Sequence, residues 1–311
     1  MAFYRALGTG MVISVDSPID DKVRPAMESL IEDYEHVLSR FRNDSLIAAI
    51  GKAEHGGSFD FPDWCAPLFD LYDALFSATS GAIDPCVGED LIRLGYDASL
   101  SFTVTQDAPE HLGALRGRAV WGRDVTRHGT TLVTHEPVQL DFGACGKGYL
   151  VDLLGRMLQS SQFVIDAGGD LLIHTEQPIS VALEDPEDQS HAIGIAHIAN
   201  GALCASAPSR RHWNMAVNER TQIAIHHLLN AIDGLPAQQT EASWAYIPAN
   251  ATLNLARDYP TAVADGLATA LFVSDVAQLQ RTFDFTYATL DESRQIAVSR
   301  NFPAELFLRS A

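Results

Sequence analysis

Cationic residues are scarce in this chain: 21 Lys and Arg stand against 40 Asp and Glu in 311 residues, a formal net charge of −19. That balance argues against an electrostatic footprint for nucleic acid or an anionic membrane surface. It does not exclude a phosphate ligand, because a divalent cation and local backbone donors can reverse the sign at a site. Cysteine is also sparse. Cys65, Cys86, Cys145 and Cys204 are far apart and form no C-x-x-C pair, so structural zinc is not expected, and a chain this long needs no disulfide framework. No apolar run approaches the ~20 residues of a membrane span. The first ten residues show no charged segment followed by an apolar one, so the expectation is a cytoplasmic chain without a membrane anchor. Apolar content of 47% is ordinary for a soluble protein.

What is present is a mixture of periods. Phe3–Val15 predicts two short strands broken at Gly8-Thr9-Gly10. Val23, Met27, Leu30, Ile31, Tyr34, Val37, Leu38 and Phe41 repeat at helical spacing behind Pro25. Pro67–Ala78 predicts a second amphipathic helix closed by Ser80-Gly81. Thr130–Asp141 has hairpin-like β character, Gly146–Leu158 reads as helix, and Gln162–Ile165 as a short buried strand. Several strand-like pieces fill Ile179 to Ile247, and two last strands (Phe283–Thr289, Gln295–Ser299) flank the turn Asp291-Glu292-Ser293. With no regular βαβ beat, the expected class is α+β, mainly antiparallel strands with packed helices. No repeat or linker stands out, so residues 1–311 are expected to form a single domain with subdomain lobes.

Five segments carry chemistry. In Ala264-Asp265-Gly266-Leu267-Ala268-Thr269-Ala270, a carboxylate and a hydroxyl at i and i+4 share one helix face, and both are hard oxygen ligands. The neighbours are small and apolar, so the Asp265 carboxylate needs a partner. Leu140 to Asp152 runs strand, glycine-rich turn and helix start, with Lys147 between Gly146 and Gly148. Such a turn suits either a phosphate at a helix N-terminus or a tight connection with a surface lysine; it is not a Walker A pattern. Asp84 in Gly81-Ala82-Ile83-Asp84-Pro85-Cys86 reads as a ligand contact or a turn carboxylate. Asp170, after Gly168-Gly169, reads as a second acidic group near a metal or a β-turn residue. His226-His227 closes a strand before a polar turn, where one histidine can face a site as a general base; a solvated or hydrogen-bonded pair is the alternative.

Taken in order, these segments resemble the ApbE family, the FAD:protein FMN transferases. The likeness covers nearly the whole chain. It runs from Leu7-Gly8-Thr9 and Leu38-Ser39-Arg40-Phe41 through Gly81 to Gly88, Asp141 to Asp152, Gly168-Gly169-Asp170, Glu184-Asp185-Pro186 and His227 to Pro236, and ends at Ala264 to Ala270. The resemblance implies a T-fold-related architecture and FAD as substrate with its diphosphate on Mg2+ or Mn2+. It implies transfer of the FMN half to a Thr or Ser hydroxyl of an acceptor flavoprotein, with release of AMP. Carried over, Asp265 and Thr269 bind metal through their side chains and Ala144 through its carbonyl. Lys147 lies beside the phosphates, and Leu7, Ser39, Arg40, Phe41, Asp84 and Leu229 match positions that contact flavin or adenosine. His227 matches the histidine that assists the acceptor hydroxyl. The chain departs from the family at His227-Leu228-Leu229-Asn230-Ala231, where His-Ile-Ile-Asp-Pro is usual, and at Ala205-Ser206-Ala207, where Thr-Ser-Gly is usual. Cys86 and Cys145 also replace a threonine and an aliphatic residue. An FAD pyrophosphatase and a non-catalytic FAD-binding protein are the competing readings.

Overall fold

A computed structural model describes residues 1–218 and 221–307 of the chain. It is mixed α+β, and every ladder between its described strands is antiparallel. The chain divides into two compact units, each built from separated segments. The first comprises Met1–Ile31, Ala144–Ser209 and Gln238–Ala311; the second comprises Glu32–Gly143 and Arg210–Ala237.

The first unit is organised by a nine-stranded sheet. Its order is Ala2–Ala6, Thr9–Val15, Phe163–Asp166, Asp170–Glu184, Ala192–Ser206, Thr240–Pro248, Thr286–Asp291 and Ile296–Val298, with Ala304–Leu306 added beside Ala192–Ser206. The two long central strands need not be perfectly regular. Pro178, which has no N–H to give the ladder, falls where their register shifts between His174 and Ile179. Ile173, Leu183, Ile198, Leu203, Trp244 and Leu290 form the core of this sheet. The first two strands are joined by Leu7-Gly8, both at positive φ (51° and 75°), the geometry of a two-residue primed turn. Glycine accepts that backbone freely; leucine does so at a cost.

The second unit holds a three-stranded sheet ordered Gly57–Asp60, Thr131–Thr134, Val125–His128, and the two-stranded pairs His212–Asn218 with Thr221–His226 and Leu229–Asn230 with Leu235–Pro236. Its buried helix Ala66–Ala78 stops as the glycine predicts: the Gly81 amide donates to the Phe76 carbonyl at 2.8 Å with φ +89°. The β character expected over Thr130–Asp141 ends at Thr134. Pro137 interrupts the run, and the alternating Val138 and Leu140 are buried by packing rather than by a ladder. The predicted helix at Gly146–Leu158 closes earlier, at Gly155; the strand expected at Phe283–Thr289 is shifted to Thr286–Asp291, and the last one shortens to Ile296–Val298. Among the described residues, no helix is long and apolar enough to cross a membrane.

Candidate active site

Two helices of the first unit, Gly146–Gly155 and Pro260–Ala270, cross so closely that a Cβ on Gly148 would stand 2.3 Å from the Thr261 carbonyl oxygen. Glycine is therefore required there by the approach of the backbones, whatever its part in chemistry. Neither helix has a side-chain cap of its own: Cys145 and Tyr259 occupy the cap positions without capping. Each helix instead receives a carboxylate from the other. Asp265 accepts from the Gly148 amide at 3.0 Å. Asp152 accepts from the amides of Thr261 at 3.1 Å and Ala262 at 2.8 Å. Both N-termini thus gain an anion where the helix dipole favours one. Burial pushes the Asp152 carboxyl up to about 7, against the pull of those two amides.

This reciprocal capping fixes the charged cluster. The Lys147 ammonium lies 2.6 Å from Asp170 and 3.3 Å from Asp265, whose carboxylates are both buried while the lysine side chain stays one-third exposed. Burial lowers the affinity of Lys147 for its proton, but the charges of Asp170 and Asp265 more than offset this and hold it above the usual lysine range. Asp265 is raised as well. Burial, and then the charge of Asp170, push its pKa up against the pull of Lys147 and the Gly148 amide. The turn role falls to Asp166, which accepts from Gly168 at 2.9 Å and Gly169 at 3.3 Å. Asp170 is thereby released to point inward. At the same end of the crossing, the Thr269 hydroxyl donates to the Ala144 carbonyl at 3.3 Å and lies 3.4 Å from the Ser206 hydroxyl. Ser206 is the member of the altered Ala205-Ser206-Ala207 segment that still presents a hydroxyl there.

The chemistry of this cluster fits a hard divalent cation. Ala144, Thr269 and Asp265 offer a carbonyl, a hydroxyl and a carboxylate, all oxygen donors of the kind Mg2+ or Mn2+ accepts. Two buried carboxylates share one ammonium, so one negative charge is left uncompensated by side chains. Among the described residues there is no group of three or more His, Cys, Asp and Glu side chains able to hold a metal. An ion here would complete its shell with main-chain, hydroxyl, water or substrate oxygens.

The second unit carries the other positions except Leu7, which lies in the first. Ser39 follows the Val23–Leu38 helix, its amide donating to the Glu35 carbonyl at 3.0 Å. Arg40 pairs with Asp141, donates to the Tyr96 carbonyl at 2.5 Å, and lies over the rings of Phe41 at 4.2 Å and Tyr96 at 4.7 Å. Phe41 is exposed, whereas Leu229 is buried among Leu91, Leu94, Leu112 and Trp213. Asp84 caps a short helical turn by accepting from Cys86 at 2.7 Å, and it also accepts from the Trp121 amide at 3.3 Å. It shares Arg118 with Asp90. The two histidines separate as alternation predicts. The Nδ1 of His226 accepts from the Leu228 amide at 3.2 Å, so its Nε2–H donates to the Ala237 carbonyl at 2.7 Å. His227 sits near the Tyr96 ring, with Nδ1 3.3 Å from the Arg211 carbonyl. That contact places the proton on Nδ1 and the basic lone pair on Nε2.

Asp152, Asp90 and Arg118 have no role in the reading of the sequence alone. For Asp152 a signal existed: the Pro260 helix begins behind a tyrosine, which cannot cap, so its cap had to come from elsewhere. Asp90 and Arg118 meet only in space, and nothing local marks them.

Comparison with known proteins identifies the family and the fold. The family model described as ApbE family matches residues 7–289, and the chain belongs to that family. A protein of Klebsiella pneumoniae (strain 342) named FAD:protein FMN transferase is 23% identical over 274 residues, covering 84% of this chain and 74% of that protein. One of the same name from Treponema pallidum (strain Nichols) is 26% identical over 286 residues, covering 81% and 72%. The fold is that of the crystallised ApbE protein of Thermotoga maritima MSB8, with a TM-score of 0.77, 19% identity and coverage of 98% of this chain and 99% of that one. The flavin transferase ApbE of Vibrio cholerae superposes with a TM-score of 0.76 at 17% identity, covering 97% of each chain.

Proposed function

We propose that this chain is an FAD:protein FMN transferase that needs Mg2+ or Mn2+ and attaches FMN to a Thr or Ser hydroxyl of an acceptor flavoprotein, releasing AMP. The observation that carries the reading is the helix crossing that gathers Lys147, Asp170 and Asp265 at one end and Thr269 with the Ala144 carbonyl at the same end. Membership of the ApbE family supports FAD as the substrate of that cluster.

Splitting a diphosphate requires that negative charge developing on its oxygens be neutralised and that a nucleophile be aligned with the bond that breaks. A divalent cation on Asp265, Thr269 and the Ala144 carbonyl would supply the greater part of that neutralisation. Lys147 contributes a compact ammonium on a flexible stem, suited to follow a phosphate oxygen. His227 takes the proton from the acceptor hydroxyl as the hydroxyl oxygen bonds to the FMN phosphorus. The bond from that phosphorus to the AMP oxygen breaks, and AMP departs. Leu7, Ser39, Arg40, Phe41, Asp84 and Leu229 are assigned to holding flavin or adenosine, Asp84 and Leu229 from within the second unit's packing. The backbone strain at Leu7 is consistent with such a part, since strained residues gather at ligand sites.

The test is the intact mass of an acceptor domain incubated with FAD, Mg2+ and this chain. The expected result is a gain of one FMN residue per acceptor, lost in Asp265→Ala and in His227→Ala, with FAD binding retained in the latter. AMP release without a labelled acceptor would instead establish hydrolysis, and FAD binding without AMP would establish storage.

A further inference from the structure

We infer that Asp170 is a positioning residue that draws the Lys147 ammonium away from Asp265 and so leaves the Asp265 carboxylate to a divalent cation. The inference rests on the metal-dependent reading above and deepens it.

The geometry is asymmetric. Nζ of Lys147 stands 2.6 Å from Asp170 but 3.3 and 3.4 Å from the two oxygens of Asp265. Asp265 accepts from Lys147 at those longer distances and more closely from a main-chain donor, the Gly148 amide at 3.0 Å, which carries no net charge to compete with a metal. Among the described residues no turn or cap amide uses the Asp170 side chain, because Asp166 serves the Gly168-Gly169 turn. Asp170 is 1% exposed, and a carboxylate so buried is retained only with a partner. Lys147 is that partner. A lysine held directly on a metal ligand is a competitor for the site, since a cation entering must displace it. A second carboxylate that binds the lysine more closely removes the competitor without removing the positive charge from the neighbourhood of a phosphate.

This arrangement predicts opposite effects from neighbouring substitutions. Asp170→Asn leaves Lys147 only Asp265 to pair with and weakens metal binding by roughly tenfold or more, the range set by groups that orient metal ligands. Lys147→Gln removes the competitor and tightens it by several-fold. In the Lys147→Gln background Asp170→Asn costs much less than in the wild type, because the anchor has nothing left to hold. The experiment is titration of the full chain with Mn2+ alone, free Mn2+ being counted by electron paramagnetic resonance, with no flavin present. Equal losses for Asp170→Asn in both backgrounds would make Asp170 a direct ligand and overturn the positioning role. So would an unchanged affinity in the single variant, or weaker binding in Lys147→Gln, with the metal-dependent reading left intact in each case. A wild type that takes up no Mn2+ would remove that reading and this inference with it.

Discussion

In the first unit one lysine, Lys147, sits between Asp170 and Asp265; in the second one arginine, Arg118, sits between Asp84 and Asp90. The formal charges are identical, two negative and one positive. The surroundings are not. Arg118 is wholly buried, and its fork reaches the carbonyls of Ala119 and Ala231 as well as both carboxylates. Those carboxylates are further tied to amides, Asp84 to Cys86 and Trp121, Asp90 to Gly113 at 2.8 Å. A permanently charged, planar group surrounded on all sides makes a closed structural joint. Lys147 is a point charge on a partly exposed stem, and Asp265 has a single amide to hold it. The same charges therefore lock one unit together and leave the other's lysine partly open to solvent. Openness, rather than charge count, separates the candidate catalytic cluster from the structural one.

The comparison breaks most visibly if the two cations are removed. Arg118→Met leaves two buried carboxylates uncompensated and is expected to cost about 3–5 kcal/mol, the usual consequence of breaking a buried ion pair on one side. Lys147→Met is expected to cost about 1–2 kcal/mol, because the lysine side chain it replaces is one-third exposed, while it reduces FMN transfer by at least a hundredfold. Denaturant midpoints and acceptor labelling on the two variants measure both. Equal stability losses would erase the distinction between a closed and an open cluster.

How much of this was legible in the sequence follows from the same distinction. Asp265, Thr269 and Lys147 announce themselves because their chemistry sits in local patterns, a helix-spaced pair and a glycine-flanked lysine at a helix start. The antiparallel strands and the Ala66–Ala78 helix were legible for the same reason, since their periods and stop signals are local. Asp90 and Arg118 were not, because the joint they form closes over intervening segments with no pattern of its own. Asp170 was half legible. Its glycines marked a turn, but Asp166 or Asp170 could have served that turn, and only the fold assigns the task to Asp166. The β character expected over Thr130–Asp141 holds for Thr131–Thr134 and misled beyond it, because burial on alternate residues does not require a ladder, and Pro137 denies one.

A smaller effect sharpens the contrast through pH. Burial pushes Asp90 up to about 6, despite the opposing charge of Arg118. A carboxyl whose folded pKa is raised keeps in the native state a proton that the unfolded chain releases. Its stabilising contribution is therefore complete below the unfolded value near 3.8 and is lost as pH climbs from there through about 6. The loss amounts to about 2–3 kcal/mol. The difference in unfolding free energy between wild type and Asp90→Asn, followed from pH 4 to pH 7, should fall by that amount as pH rises. A flat difference would mean that Arg118 keeps Asp90 ionised throughout, and that the joint is tighter than its burial implies.

The smallest expected effect concerns the departure from the family at Asn230, which replaces the aspartate usual beside the histidine. Asn230 Oδ1 accepts from the Ile232 amide at 3.0 Å, and the Gly234 amide donates back to the Asn230 carbonyl at 2.7 Å, closing the hairpin between Leu229–Asn230 and Leu235–Pro236. An aspartate oxygen would accept the same bond, since the turn needs an acceptor and not a charge. Ala231 is likewise fixed by its main chain, which bonds Ala82, Ala114 and Arg118. The family aspartate is thus replaceable as a turn residue, and Asn230→Asp should change stability by less than about 0.5 kcal/mol. It should alter transfer no more than threefold, by the same acceptor-mass assay. A gain well beyond that would show that the charge beside His227 serves the proton transfer.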